Sequence, residues 1–474
     1  MSNQNKATNR LAIGTVVYMI GNLTSKMLQM LILPIITANL TTSEYGFYDL
    51  IVTTINLVTP FITLQIVEGM FRFLFEASEE NKVKNISTTT AFLLGSISIL
   101  GLIMLLLALT IPTIKYPFLI YLNYVSVIVF DYMQKIARVQ QQNRVYAISG
   151  VVNTIIMLVC QALTLLVFKM GTDGMLIANS ISYFVAAAYL EINVRVDKWL
   201  KKSGVDKGAL IALLKYSAPL MPNSIVWWLV ASSDRYVISC FLGMGANGIY
   251  SIAGKFSQLL TFAVTVFQLA WQENAILERN SKERDAFYTN TFNTYMKLLL
   301  GGYLVVLPLI RLLIPFLLES NYQCGYLYNP LLLFGAIMSA FAQFYGSAYL
   351  VFKKTSGAFF TTLFAAIMNL LIGVSLIRKI GLFAPALGTA MAFLLQWILR
   401  AKQMKAYFNV KIDLKTLALM MICVCLITYA YYEESIIIHI ISFVVGLAFC
   451  IFFNFRFIKS IIVKLFNKSR YMGI

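Results

Sequence analysis

Three basic side chains stand where a cation has no ordinary reason to be. Lys26 lies about fifteen residues into an apolar run that opens near residue 11, Arg235 follows Asp234 inside another, and Lys255 occupies a third. A lysine that deep in a bilayer cannot snorkel easily to either surface. It needs a carboxylate, a water-filled lumen or an anionic ligand. Lysine offers a phosphate a point charge and arginine offers it a planar fork. The trio therefore predicts a positive cavity suited to a phosphate or diphosphate.

Polar residues at helical spacing accompany the three cations. Asn22 and Gln29 share a face with Lys26; Asp49, Thr53, Asn56 and Thr63 form one stripe. Ser251, Lys255, Gln258, Thr261, Thr265, Gln268 and Gln272 form another. Lipid cannot satisfy such groups, so they are expected to face other helices or a wet cavity. Small polar residues can simply join neighbouring helices. Asp49, Lys255 and the glutamines are larger than that role requires, so Asn22, Gln29, Asp49, Asn56, Asp234, Gln258 and Gln268 are read as lumen lining. Three further pairs, Glu68/Arg72, Asp131/Lys135 and Glu191/Arg195, are each four residues apart and are predicted to pair along their own helices. They form either an inner gate or static interfacial pairs. His439 is the only histidine, and no Cys-x-x-Cys pair occurs. That pattern argues against a zinc site or a histidine-based catalytic triad, and His439 is read as a packed or interfacial residue. No phosphate-binding loop motif is present, so ATP is not the direct energy source. No cofactor is expected, and a proton or sodium gradient is the candidate for energy coupling.

The elements that must position these residues are apolar and long. The chain is 59% hydrophobic and only 12% charged, where a soluble domain is nearer 25% charged. Fourteen stretches reach the roughly 20 residues that cross a bilayer as a helix: 11–38, 45–75, 86–110, 117–138, 146–168, 173–194, 209–240, 248–272, 291–318, 329–352, 355–377, 385–408, 412–431 and 436–457. Lys and Arg crowd alternate connections; only Lys115, Lys169, Arg378 and Lys379 fall in the other set. That asymmetry predicts an even span count with both termini in the cytoplasm. It also explains most of the +18 net charge as topology and leaves no case for nucleic-acid binding.

The chain also repeats. Leu40 to Tyr48 and Leu242 to Tyr250 share Leu, Gly and Tyr at matching places, with Gly46 on Gly248 and Asp49 on Ser251. Each segment joins the first and second helix of a six-span half, which predicts parallel repeats of the kind transporters use around a central cleft. The expected division is a six-helix lobe over 1–208, a second over 209–408, and two further helices with a tail over 409–474.

Several segments carry a resemblance. Asn22-Leu-Thr-Ser-Lys26 through Pro34, Tyr45-Gly46-Phe-Tyr48, Asp234-Arg235 through Gly243, Gly248-Ile-Tyr250 and Lys255-Phe256 resemble the Wzx-type O-antigen and capsule flippases. These belong to the multidrug/oligosaccharidyl-lipid/polysaccharide (MOP) exporter superfamily. The resemblance covers the whole chain and implies an all-α, MATE-like membrane fold of two six-helix lobes around a cleft, in the bacterial cytoplasmic membrane. The implied cargo is an undecaprenyl-diphosphate-linked oligosaccharide, its diphosphate meeting Lys26, Arg235 and Lys255. Polysaccharide polymerase and chain-length machinery are the expected protein partners. A drug or cation antiporter and a lipid II-type flippase share the architecture. A membrane glycan polymerase or ligase is expected to carry a large outer loop, and no outer connection here is long.

Overall fold

The computed structural model describes residues 28–75, 77–111, 115–201, 204–352 and 355–471, which are helical almost throughout and contain no strand. A lipid-embedded backbone satisfies its own polar groups most simply this way. In chain order the helices are α1 (Leu33–Asn39), α2 (Thr42–Thr63), α3 (Ile66–Leu74), α4 (Glu79–Thr110), α5 (Pro117–Val139), α6 (Asn143–Ala162), α7 (Gly171–Val194), α8 (Lys207–Ser217) and α9 (Met221–Leu242). There follow α10 (Met244–Leu277), α11 (Arg284–Leu317), the single turn α12 (Ser320–Gln323), α13 (Asn329–Val351), α14 (Thr355–Ile380), α15 (Phe383–Met404), α16 (Leu414–Tyr431) and α17 (Ile436–Tyr471).

Among the described residues eleven helices are long and apolar enough to cross a membrane. The expected count of fourteen is not reached by that measure. The expected spans at 117–138 and 248–272 fall on α5 and α10, which are not among the eleven, and the first expected span lies mostly outside the described residues.

Two expected spans are broken, each beside proline. The second divides into α2 and α3 at Leu64 and Gln65, both left-handed with φ 46° and 56°. Pro60 precedes the break and cannot donate to the carbonyl of Asn56, so the last turns of α2 are weakened. The seventh divides into α8 and α9 around a 3-10 turn at Ala218–Leu220 that holds Pro219, with Pro222 opening α9. Elsewhere, starts are capped. Thr41 and Glu44 form a reciprocal capping box for α2, the Thr41 hydroxyl accepting from the Glu44 N–H at 3.2 Å and the Glu44 carboxylate from the Thr41 N–H at 2.8 Å.

The chain packs as two compact units. The first holds the residues up to Ser239 together with Gly243–Gly248; the second holds Cys240–Leu242 and the chain from Ile249 onward. In the first unit Ile66, Met70, Ile136, Leu176, Ala186 and Leu190 form a core without solvent access. Leu94, Ile99, Leu102, Leu105 and Leu109 of α4 are exposed, a greasy outer face suited to lipid. The second unit is built on aromatic stacking: Phe267 lies 3.7 Å from the Tyr295 ring and Trp271 lies 4.1 Å from Phe344.

The extended segment before α16 is tied to α11 by a ladder. Asp285, Thr289 and Asn293 accept from the backbone N–H groups of Asn409, Lys411 and Asp413 at 3.1, 3.1 and 3.0 Å. Four helical residues rise about 6 Å and two extended residues about 6.7 Å, so alternate N–H groups meet successive turns.

Candidate functional site

Within the first unit, α9 is stitched to α2 along one polar seam. Arg235 lies between two carboxylates, Asp234 at 2.8 Å and Asp49 at 3.4 Å. All three are largely withdrawn from solvent, with side-chain exposures of 19% for Arg235, 16% for Asp49 and 5% for Asp234. One guanidinium thus faces two carboxylates, so Arg235 is an engaged cation. Below it on the same face of α9, the Trp228 indole N–H donates to the Thr53 carbonyl at 3.0 Å. Gln65, at the break between α2 and α3, donates to Ser224 at 3.1 Å. Positions 224, 228 and 235 are spaced by four and seven, which keeps them on one side of a helix. Tyr236 and Thr54 share a hydrogen bond at 2.5 Å.

The internal repeat closes the seam. A Cβ added at Gly46 would overlap the Met244 carbonyl oxygen and stand 2.7 Å from the Gly248 nitrogen. A Cβ at Gly248 would overlap the Thr42 carbonyl oxygen and stand 3.1 Å from the Gly46 nitrogen. The two glycines matched by the repeat thus face each other, and each lets the start of the other's helix come close. Asn247 adds a hydrogen bond to the Gly46 carbonyl at 2.8 Å.

A second charged group lies at the break itself. Lys135 of α5 bonds Glu68 of α3 at 2.5 Å, so the expected pairing of Lys135 with Asp131 along one helix is corrected to a pair between helices. Lys135 also lies over the Phe71 ring at 5.4 Å. Asp131 instead faces a cavity of about 370 Å³ together with Asn56, Gln65, Glu68 and Ser224. The expected Glu191–Arg195 pair is also corrected. Arg195 bonds Asp197 at 3.2 Å, and the Asp197 N–H donates to Glu191 at 3.0 Å. Arg195 ends α7 with φ 56°, and that left-handed turn takes its side chain away from the preceding helical turn. Arg72 lines a different cavity, described below.

The remaining predicted residues are more scattered. Lys26 and Asn22 lie outside the described residues, and Gln29 is half-buried. On α10, Ser251 is buried while Lys255 and Gln258 are half-buried. Gln268 is buried and accepts from the Ser347 hydroxyl at 3.1 Å, a bond that joins neighbouring helices. His439 is buried, as expected of a packed histidine.

Sequence reasoning missed several partners. Nothing in the one-dimensional pattern singled out Gln65, Ser224 or Tyr236. Arg400, inside the expected span at 385–408, is helical and 2% exposed. Its guanidinium donates to the Ala342 carbonyl at 2.9 Å and to the Thr361 and Thr362 hydroxyls at 3.2 and 3.1 Å. The available signal was Gly346, where a Cβ would meet that guanidinium at 2.5 Å.

Comparison with known proteins places this geometry. The profile of a family described as "Polysaccharide biosynthesis protein" matches residues 11–271. None of the curated proteins matches the sequence. Among solved structures, the lipid II flippase MurJ in its inward closed conformation superposes with a TM-score of 0.68 at 15% identity, covering 94% of this chain and 100% of that one. An inward-facing multidrug resistance MATE family transporter of the MOP superfamily gives 0.65 at 12% identity, over 84% of this chain and 98% of its own. A MATE transporter of Vibrio cholerae gives 0.56 at 14% identity, over 85% and 98%. At such identities the likeness establishes the fold: a multi-pass, all-helical membrane fold shared by flippases and MATE transporters.

Proposed function

The chain belongs to the polysaccharide biosynthesis protein family, and on that premise we propose that it is a flippase for an undecaprenyl-diphosphate-linked oligosaccharide. The cargo would be an O-antigen, capsule or exopolysaccharide repeat unit. It would pass from the cytoplasmic to the outer leaflet of the bacterial cytoplasmic membrane by alternating access, with both termini of the chain inside. Polysaccharide polymerase and chain-length machinery would receive it outside.

One observation carries the mechanism: an arginine inside the apolar helices held by two carboxylates at unequal distance, 2.8 and 3.4 Å. A diphosphate accepts bidentate hydrogen bonds from a guanidinium as a carboxylate does. The cargo's diphosphate would replace Asp49 on Arg235 while Asp234 keeps the guanidinium oriented. Releasing Asp49 would loosen α2 from α9, and so cargo binding would favour a different arrangement of the helices. Lys26 and Lys255 would supply further positive charge. A fourteen-span topology with lobes over 1–208 and 209–408, and helices 13 and 14 after them, is part of this reading.

A cation antiporter is the second reading, favoured by the carboxylates of Glu68 and Asp131 at one cavity. In a flippase the same carboxylates would take the proton or sodium ion whose gradient drives the cycle. Deleting the gene separates the readings. Loss of surface polysaccharide, with lipid-linked repeat units accumulating inside, is expected of the flippase. Normal polysaccharide export would refute it. Replacing Lys26, Arg235 or Lys255 by alanine should impair export while leaving membrane insertion intact, and full export by all three variants would remove the cationic mechanism.

A further inference from the structure

Where α3 ends, α4 begins and α8 begins, the first unit forms an open polar cavity of about 640 Å³ whose lining does not include Arg235. Residues 49 and 72 are separated by on the order of 30 Å of helix. Arg72, Asn81, Lys84, Asn85, Asp206 and Tyr216 supply its polar lining. Asn81, Lys84 and Asn85 are spaced by three and four on α4 and so share one face.

The floor is fixed. Ser87 donates to the Trp199 carbonyl at 2.9 Å and accepts from the Lys201 N–H at 3.0 Å. Thr88 accepts from the Asp206 N–H at 3.0 Å, and the Asp206 carboxylate is turned to the α8 start, accepting from the Ala209 N–H at 2.6 Å. Lys84 pairs with Glu80 at 2.9 Å, but that carboxylate is 79% exposed. Such a pair exchanges readily for a better acceptor.

The chemistry of the lining is that of a phosphorylated sugar. Two cations suit phosphate oxygens, and two carboxamides suit hydroxyls with donor and acceptor together. Tyr216 meets Phe73 edge-on at 5.8 Å, and Phe73 and Phe75 are both exposed, an apolar rim that suits the tail of a lipid rather than a soluble sugar phosphate. We propose that this cavity receives the sugar-diphosphate head of the lipid-linked cargo at the inner surface of the membrane, before the head reaches Arg235. The assignment rests on the flippase reading and its orientation.

The test is binding to the full chain in nanodiscs, with farnesyl-diphosphate-linked N-acetylglucosamine as the probe. Lys84→Gln, and separately the double variant Asn81→Ala with Asn85→Ala, should each weaken the probe about tenfold, the scale of one lost charge-assisted hydrogen bond or two neutral ones. Lys115→Gln, at a separate cavity, should bind as the parent does. Unchanged binding by both cavity variants would overturn the site, as would equal competition by phosphatidylglycerol. Because the assay needs no transport, a deletion strain that loses surface polysaccharide, together with cavity variants that bind normally, overturns the site and leaves the flippase reading standing.

Discussion

Adding a methyl group at Gly46 tests whether the repeat-related glycines set the approach of α2 to the start of α10. The new Cβ would overlap the Met244 carbonyl oxygen and press on the Gly248 nitrogen, both backbone atoms that cannot rotate away. The two helix starts would have to part by roughly 1 Å to make room for a carbon's van der Waals shell. Parting them stretches the Asn247 bond to the Gly46 carbonyl, now 2.8 Å. Overpacking costs about 1–3 kcal/mol when side chains can yield, and with backbone on both sides the expected cost is about 3 kcal/mol. Gly248→Ala meets the Thr42 carbonyl in the same way and should cost the same. The double variant is the informative one. A single displacement accommodates both methyl groups, so its cost should be about 4 kcal/mol rather than the sum, a coupling that a double-mutant cycle resolves. Apparent melting temperatures of detergent-purified protein give the ranking, and surface polysaccharide in a complemented deletion strain gives the functional readout. Parental stability and export in Gly46→Ala, or strictly additive losses in the double variant, would refute the reasoning.

Removing one member of the Asp49–Arg235–Asp234 cluster should give unequal losses. Arg235→Gln removes the cation between two withdrawn carboxylates and is expected to cost about 3 kcal/mol, whereas Asp49→Asn leaves the Arg235–Asp234 pair intact and should cost under about 1 kcal/mol; thermal unfolding of the two purified variants checks the order. Reversing the Lys135–Glu68 pair as Lys135→Glu with Glu68→Lys should restore more expression and export than either single change, since the pair joins two helices, and failure of the reversal to improve on both singles would count against the pairing. At the start of α16, hydrogen bonds from the Thr416 hydroxyl and N–H hold the Asp413 carboxyl below the usual carboxylate range. A depressed carboxylate stabilises the fold above its ordinary range and loses that contribution as pH falls through its lowered value. Asp413→Ala should therefore cost about 1 kcal/mol at neutral pH, with the difference from the parent closing in acid, as melting across a pH series will show.

Much of the fold was legible in the sequence because hydropathy is a local property. Hydrocarbon imposes the same length and the same internal hydrogen bonding on every span, so the apolar middle of most helices could be read, though α4 and α11 each begin seven residues before the expected span. The prolines at 34, 60, 219 and 222 announced weak points, and α1, the break after α2 and the break before α9 occur beside them. The polar stripe on α2 also signalled a side of this helix that meets polar groups, as Asp49 meets Arg235. Partners were less legible. Lys135 was matched to the nearest acid along its own helix, and the structure gave it Glu68 instead.

The sequence by itself therefore determined a helical, multi-pass chain with an internal repeat and with charges buried in its spans. Tertiary structure alone decided what those charges do. Arg235, read as a positive member of a cationic lumen, is shared between Asp49 and Asp234, and Asp49 lies far away in the chain. Whether two buried groups meet depends on helix rotation and on register between antiparallel helices. One residue of slip turns a side chain by about 100°. Close packing between distant segments sets both quantities, here at Gly46 against Gly248, and no window of local sequence contains that information.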